Sequence, residues 1–108
     1  GYGMHFTAKN PTKVAILPIG YGDGYPRLKN KGHVLIAGKQ APIIGSNSLD
    51  STMVDISDIP EAAVGAEVVL IGQQGDQIIT AMMLAEWAGT LTYDILCRWG
   101  ERMDRVSI

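Results

Sequence analysis

The sequence has 108 residues, enough for one domain and too few for two. Hydrophobic residues make up 46%, which supports a modest core. A net charge of -2, with only nine scattered Lys and Arg, argues against a basic nucleic-acid-binding stripe, so no nucleic-acid partner is expected.

A single cysteine, Cys97, rules out a disulfide within the chain and points to a reducing compartment, so a cytoplasmic location is expected. No apolar run approaches the roughly 20 residues of a transmembrane helix, and no signal peptide is visible. Membrane contact from this domain is therefore not expected. One Cys and two separated His do not make a typical zinc site, so no metal is expected either. The opening residues, Gly1-Tyr2-Gly3-Met4-His5-Phe6, lack an initiator Met and begin in mid-pattern, as a fragment of a longer protein would.

In chain order, residues 2–7 read as a strand. Lys13 to Ile19 reads as a largely buried strand, with Val14, Ile16, Leu17 and Ile19 apolar. Gly20-Tyr21-Gly22-Asp23-Gly24-Tyr25-Pro26-Arg27 follows, and its glycines and Pro26 exclude a helix or an ordinary strand. Arg27, Lys29 and Lys31 form the densest cationic cluster, read as a solvated loop. His33 to Ala37 and Gln40 to Ile44 form a hairpin around Gly38. Thr52 to Ile56 is a further strand, and Ser57 to Gly65 a polar link around Pro60.

Glu67 to Ile71 and Gln77 to Ile79 flank Gln73-Gln74-Gly75-Asp76 as a second hairpin. A helix begins at Ala81 under a Thr80 cap, with Met83, Leu84, Trp87 and Ala88 on one face and Gly89 at its stop. A second short helix is predicted from Tyr93 to about Trp99, and Arg105 to Ile108 returns to strand. Short, closely spaced strands with a small helical appendage predict a mainly β fold, a Greek-key-like β-barrel domain with one or two short helices near the C-terminus.

Generic motifs add little. Gly20, Gly22 and Gly24 give G-x-G-x-G and no following Lys-Ser/Thr, which is not a phosphate-binding loop. Nothing in the spacing suggests a Ser/His/Asp group.

Motif order says more. Gly1-Tyr2-Gly3, Ile19-Gly20-Tyr21-Gly22-Asp23-Gly24-Tyr25-Pro26-Arg27, Ala41-Pro42-Ile43-Ile44-Gly45, Ser48-Leu49-Asp50 with Met53-Val54-Asp55, Val69-Leu70-Ile71-Gly72 with Gln74-Gly75-Asp76, and Ala85-Glu86-Trp87-Ala88-Gly89-Thr90 with Tyr93 occur in sequence. Together they resemble the carboxy-terminal domain of the alanine racemase family over essentially the whole chain. The resemblance implies that residues 1–108 are the β-domain of a two-domain parent. It implies an amino-terminal α/β-barrel of about 200 residues or more that carries pyridoxal phosphate on a lysine. It also implies a homodimer in which the β-domain of one subunit completes the site of the other.

The implied reaction interconverts L- and D-forms of a small amino acid, alanine by default and serine as the alternative. The cofactor stabilises a carbanion at the α-carbon, and a base is needed on each face. The resemblance assigns one face to the cofactor lysine of the barrel and the other to Tyr2. A phenol has an ordinary pKa of about 10, so Tyr2 needs positive charge nearby, supplied by the barrel. By itself, Tyr2 reads as a strand aromatic.

Leu49 stands where the family usually has Met, whose backbone N–H helps hold the substrate carboxylate. A backbone donor tolerates that exchange. The plainer reading is a buried strand leucine. Tyr21 and Arg27 match residues lining the substrate entrance, and otherwise read as a loop aromatic and a surface arginine. Tyr93 matches a residue reaching the cofactor phosphate, and otherwise packs on Trp87 or Trp99. Asp50 is expected to orient its neighbours.

Ser46 replaces a usual Arg near the channel, Asn47 beside it is also unusual, and Arg102-Met103-Asp104-Arg105 replaces a common Arg-x-Pro-Arg. Losing a cation at Ser46 puts the substrate in doubt. Two other readings stand beside the racemase. One is a related basic amino-acid decarboxylase, whose Cys and Asp motif does not match the surroundings of Cys97, read here as a core cysteine. The other is a non-catalytic module for dimerisation or ligand binding.

Overall fold

The structure is a computed structural model and describes residues 12–91, 95 and 105–108. The strand expected at 2–7 lies outside them, as does the second helix apart from Ile95. The chain is mainly β, with one α-helix among the described residues and a sheet curled into a half-barrel.

Eight strands are described: β1 (Val14–Leu17), β2 (His33–Ile36), β3 (Lys39–Ile44), β4 (Thr52–Asp55), β5 (Glu67–Val69), β6 (Gly72–Gln74), β7 (Gln77–Ile79) and β8 (Arg105–Ser107). The α-helix, α1, spans Ala81–Ala88. Six strands form one sheet in the order β1-β4-β3-β2-β5-β8, and β6-β7 is a separate hairpin. The order β1-β4-β3-β2 is a Greek key: three strands joined by short turns, with β1 placed beside β4. Its long connection therefore runs from β1 to β2, through residues 18–32.

The curl has a visible cause in β3. Residues 39–42 pair with β2, from Lys39 opposite Ile36 to Pro42 opposite His33. Ile43 and Ile44 then pair on the other side with Val54 and Met53. A strand that changes partner along its length bends the sheet around a core.

That core takes Ala15 and Leu17 of β1, Val34 and Ile36 of β2, Ala41 and Ile43 of β3, Val54, Val68 and Leu84 of α1. β2 is buried on both faces, because Leu35 joins Val69 and Ile79 in a second cluster. Trp87 packs against both clusters. On α1 itself, Leu84 and Ala85 are the buried residues. Thr80 Oγ1 accepts the Met83 N–H at 3.1 Å, and Gly89 ends the helix at φ 69°.

Two expectations need correction. The first strand is shorter than Lys13 to Ile19 and only half-buried: Ile16 is 63% exposed, and Val14 is exposed beside it. The alternation of a β-strand sends Ala15 and Leu17 inward and leaves Val14 and Ile16 facing an open cleft beside Ala62, Ala63 and Val64. The second hairpin is also displaced. β7 pairs with Gly72–Gln74, while Glu67–Val69 joins the main sheet between β2 and β8. Gly72, at φ 121°, lets the chain turn away after Ile71, so one expected strand becomes two. The first hairpin is as expected, with Ala37 and Gly38 at its turn.

Candidate functional site

Two connections meet at one end of the sheet: the β1-to-β2 crossover and the β3-to-β4 loop, residues 45–51. The crossover is tethered inward by Ile19, Tyr25 and Leu28, all buried. Between these anchors a single 3-10 turn, Tyr21–Asp23, interrupts the glycine-rich stretch. Asp23 Oδ2 accepts the Gly20 N–H at 3.1 Å, and Gly24 closes the turn in the left-handed region. Anchors inward leave Tyr21 half-buried and Arg27 exposed.

The two connections are joined by backbone. Tyr21 N–H donates to the Ser48 carbonyl at 3.1 Å, and Gly22 N–H to the Leu49 carbonyl at 2.7 Å. A Cβ on Gly20 would lie 2.1 Å from the Ser48 carbonyl oxygen, so glycine is required by this approach. The loop is closed on itself by Ser48 and Ser51, whose hydroxyls lie 2.7 Å apart and whose N–H and C=O meet at 2.8 Å. Thr52 Oγ1 donates to the Ile19 carbonyl at 2.7 Å and fixes where the loop re-enters the sheet.

Three of the candidate residues are thereby brought into one region. The Arg27 guanidinium lies 5.3 Å from the centre of the Tyr21 ring, a cation–π contact. Arg27 has no carboxylate partner among the described residues. Leu49 stands at the loop tip, 53% exposed, and not in a strand. Its N–H makes no hydrogen bond among the described residues. Asp50 Oδ1 accepts from the Ser48 hydroxyl at 3.4 Å, a weak tie to its neighbour. Tyr2 and Tyr93 lie outside the described residues, as does Cys97.

Asn47 was singled out in the sequence only as unusual, and the structure gives it a place. It is 2% exposed. Its Oδ1 accepts the Leu28 N–H at 2.8 Å, and its Nδ2 donates to the Pro26 carbonyl at 2.9 Å. The available signal was a polar run, Ser46-Asn47-Ser48, one glycine after the apolar end of β3. All three are buried. Ser46 itself is bridged to Lys29 across the two connections.

Tyr25, the remaining described tyrosine, is a core residue, and burial pushes its phenol above the ordinary range. It is therefore no candidate for a base. The four described lysines, Lys13, Lys29, Lys31 and Lys39, are all exposed, and Lys39 pairs with Glu61 at 3.2 Å. Lys13 borders a cleft whose other lining side chains are all apolar and offer a phosphate no donor. The described residues thus do not fit as the seat of pyridoxal phosphate.

Arg27 also lines a cleft of about 160 Å³ with Pro26, Ala88, Thr90 and Ile95. A larger cleft, about 540 Å³, lies between β1 and the 56–64 connection and holds none of the candidate residues. No cluster of potential metal ligands occurs among the described residues. No helix among them is long and apolar enough to cross a membrane.

Two joined connections of a curled β-domain thus bring together a phenol, a guanidinium and a backbone N–H with no hydrogen bond among the described residues. The family model for the alanine racemase C-terminal domain matches residues 1–107, and the chain belongs to that family. It is 48% identical over 105 residues to an alanine racemase of Halothermothrix orenii, covering 96% of this chain and 28% of that protein. It is 45% identical over 106 residues to an amino-acid racemase of Enterococcus faecalis, covering 96% of this chain and 15% of that protein. The crystal structure of alanine racemase from Bartonella henselae with covalently bound pyridoxal phosphate matches 96% of this chain and 28% of that one. Its TM-score is 0.79, at 35% identity. The chain therefore spans less than a third of each of these proteins.

Proposed function

We propose that this chain is the substrate-facing β-domain of a pyridoxal-phosphate-dependent racemase acting on a small amino acid, alanine by default. The observation that carries this is the joining of Tyr21, Arg27 and Leu49 by the crossover-to-loop hydrogen bonds, within a chain of this family. An amino acid enters as a zwitterion. Arg27, without an ion-pair partner among the described residues, offers its carboxylate a planar donor pair. The Leu49 N–H offers a further donor that does not depend on the side chain.

Pyridoxal phosphate, when bound, withdraws electrons from the substrate α-carbon and lowers the barrier to losing its proton. Its seat belongs to a preceding barrel domain, with Tyr93 of this chain reaching the phosphate. Tyr2 takes or returns the α-proton on one face, as a phenolate stabilised by positive charge from that barrel. The partner is a second copy of the full-length protein, so each β-domain serves the other subunit's site. Isolated, the domain is inactive. Its cellular setting is the cytoplasm.

A second reading, a serine racemase of the same chemistry, stays open because Ser46 stands where the family commonly has arginine. A serine in place of the usual arginine changes the charge met by the entering amino acid. The test is direct. The full-length parent is supplied with pyridoxal phosphate and incubated with L-alanine and L-serine separately, and both enantiomers are quantified. Inversion of alanine, of serine or of both supports the racemase and fixes its substrate. Cofactor binding without inversion of either favours the decarboxylase or the non-catalytic module.

A further inference from the structure

We propose that Asn47 is a positioning residue that fixes the direction of Arg27 by holding the two peptide groups on either side of it. This rests on the reading of Arg27 as a residue of the substrate entrance. The Pro26 carbonyl belongs to the peptide before Arg27, and the Leu28 N–H to the peptide after it. One carboxamide grips both, through Nδ2 at 2.9 Å and Oδ1 at 2.8 Å. With both peptide planes held, φ and ψ of Arg27 are held, and so is its Cα–Cβ bond. The Asn47 N–H adds a bond to the Leu28 carbonyl at 3.2 Å.

The segment needs such a clamp because no strand ladder holds it. Residues 25–28 lie outside the described strands, and Pro26 has no N–H to offer a ladder. Regular pairing resumes only after it, at the Lys29–Ser46 bridge and the Asn30 N–H bond to the Gly45 carbonyl at 2.9 Å. An arginine side chain has many rotamers, and its exposed guanidinium reaches Tyr21 only from a fixed root. Asn47 also sits two residues before Leu49, whose carbonyl holds Gly22 beside Tyr21. The same short loop thus sets the root of Arg27 and the place of Tyr21. A valine or leucine at position 47 would fill the space and hold neither peptide.

The experiment is a double-mutant cycle in the full-length parent: wild type, Asn47→Ala, Arg27→Gln and the pair. Each is assayed for KM and kcat and checked by thermal unfolding and cofactor content. Arg27→Gln is expected to raise KM about tenfold. Asn47→Ala is expected to raise KM about fivefold with kcat within about twofold, and to add less than about twofold once Arg27 is gone. Asn47→Asp is expected to recover part of the lost KM at the acid end of the active range, where a protonated carboxyl again donates to Pro26. Crystal structures of the parent and Asn47→Ala give an arm independent of turnover, with Arg27 expected to leave the Tyr21 ring in the variant. Multiplicative effects in the cycle, or an undisturbed Arg27 in the variant crystal, overturn the inference. An inactive wild-type parent overturns the racemase reading instead, and the crystal arm then decides the positioning alone.

Discussion

The Gly22 N–H donates to the Leu49 carbonyl at 2.7 Å, so the glycine-rich crossover and the β3-to-β4 loop share a backbone seam. Gly20 lies at the same seam, and a methyl there would meet the Ser48 carbonyl at 2.1 Å. Neither side of that contact is a flexible side-chain end. Gly20→Ala is expected to cost about 2 kcal/mol of stability or more, as overpacking against backbone does. Gly22→Ala should cost less, because its methyl would meet Leu49 atoms no nearer than 2.8 Å. Urea unfolding of the two variants against wild type checks the order. Equal midpoints for Gly20→Ala and wild type would mean the seam is looser than described.

The β2–β3 hairpin contains a removable strain. Ala37 has φ 53° and Gly38 has φ 74°, both in the left-handed region that a two-residue turn of this hand demands. Gly38 adopts it freely, whereas an alanine costs about 1 kcal/mol or more there. Ala37→Asn creates the Asn-Gly pair that such turns favour. The expected result is a gain of about 1 kcal/mol, or about 5 °C in Tm for a domain of this size. An unchanged or lower Tm would contradict the turn assignment.

A pH dependence should arise at His33. Its ring lies 4.7 Å from the Trp87 ring, and its Nε2 is buried with no hydrogen-bond partner among the described residues. Desolvation holds its pKa below the ordinary value of 6.5. As pH falls through about 6.5, the unfolded chain takes up a proton that the folded chain does not. Stability contributed by the neutral ring is therefore full above that value and declines until the folded-state pKa is passed. His33→Phe keeps the ring contact and removes the titration. The difference in unfolding free energy between wild type and His33→Phe should change between pH 7.5 and 5.5, with wild type losing more. A difference constant across that range would show that His33 is already solvated in the fold.

Much of the fold was legible because local chemistry and tertiary structure agree. Thr80 and Gly89 bound α1 as their capping chemistry requires, and Ala37-Gly38 turns the first hairpin. Val14 and Ile16 misled, since an apolar residue states a preference for burial and not the presence of a cover. Gly72 misled because one residue at positive φ moved Glu67–Val69 from the hairpin into the main sheet.

For the site, residue identities came from motif order, while proximity did not. Tyr21 and Leu49 are far apart in sequence and come into one region only because the Greek key lays the crossover against the β3-to-β4 loop, Tyr21 bonding to Ser48 and Gly22 to Leu49. Asn47 stayed silent for the same reason. Its partners, Pro26 and Leu28, are supplied by the other connection.

The proposed role of Tyr2 as a base is tested most directly by α-proton exchange in deuterated water. The full-length parent and its Tyr2→Phe variant are supplied with pyridoxal phosphate and given each enantiomer of alanine and of serine. Deuterium at the α-carbon is then followed by NMR. With Tyr2 as the base on one face, Tyr2→Phe loses most exchange from one enantiomer while retaining a larger share from the other, the one assigned to the proposed barrel lysine. Equal, near-wild-type exchange from both enantiomers would contradict the assignment and leave Tyr2 a structural aromatic.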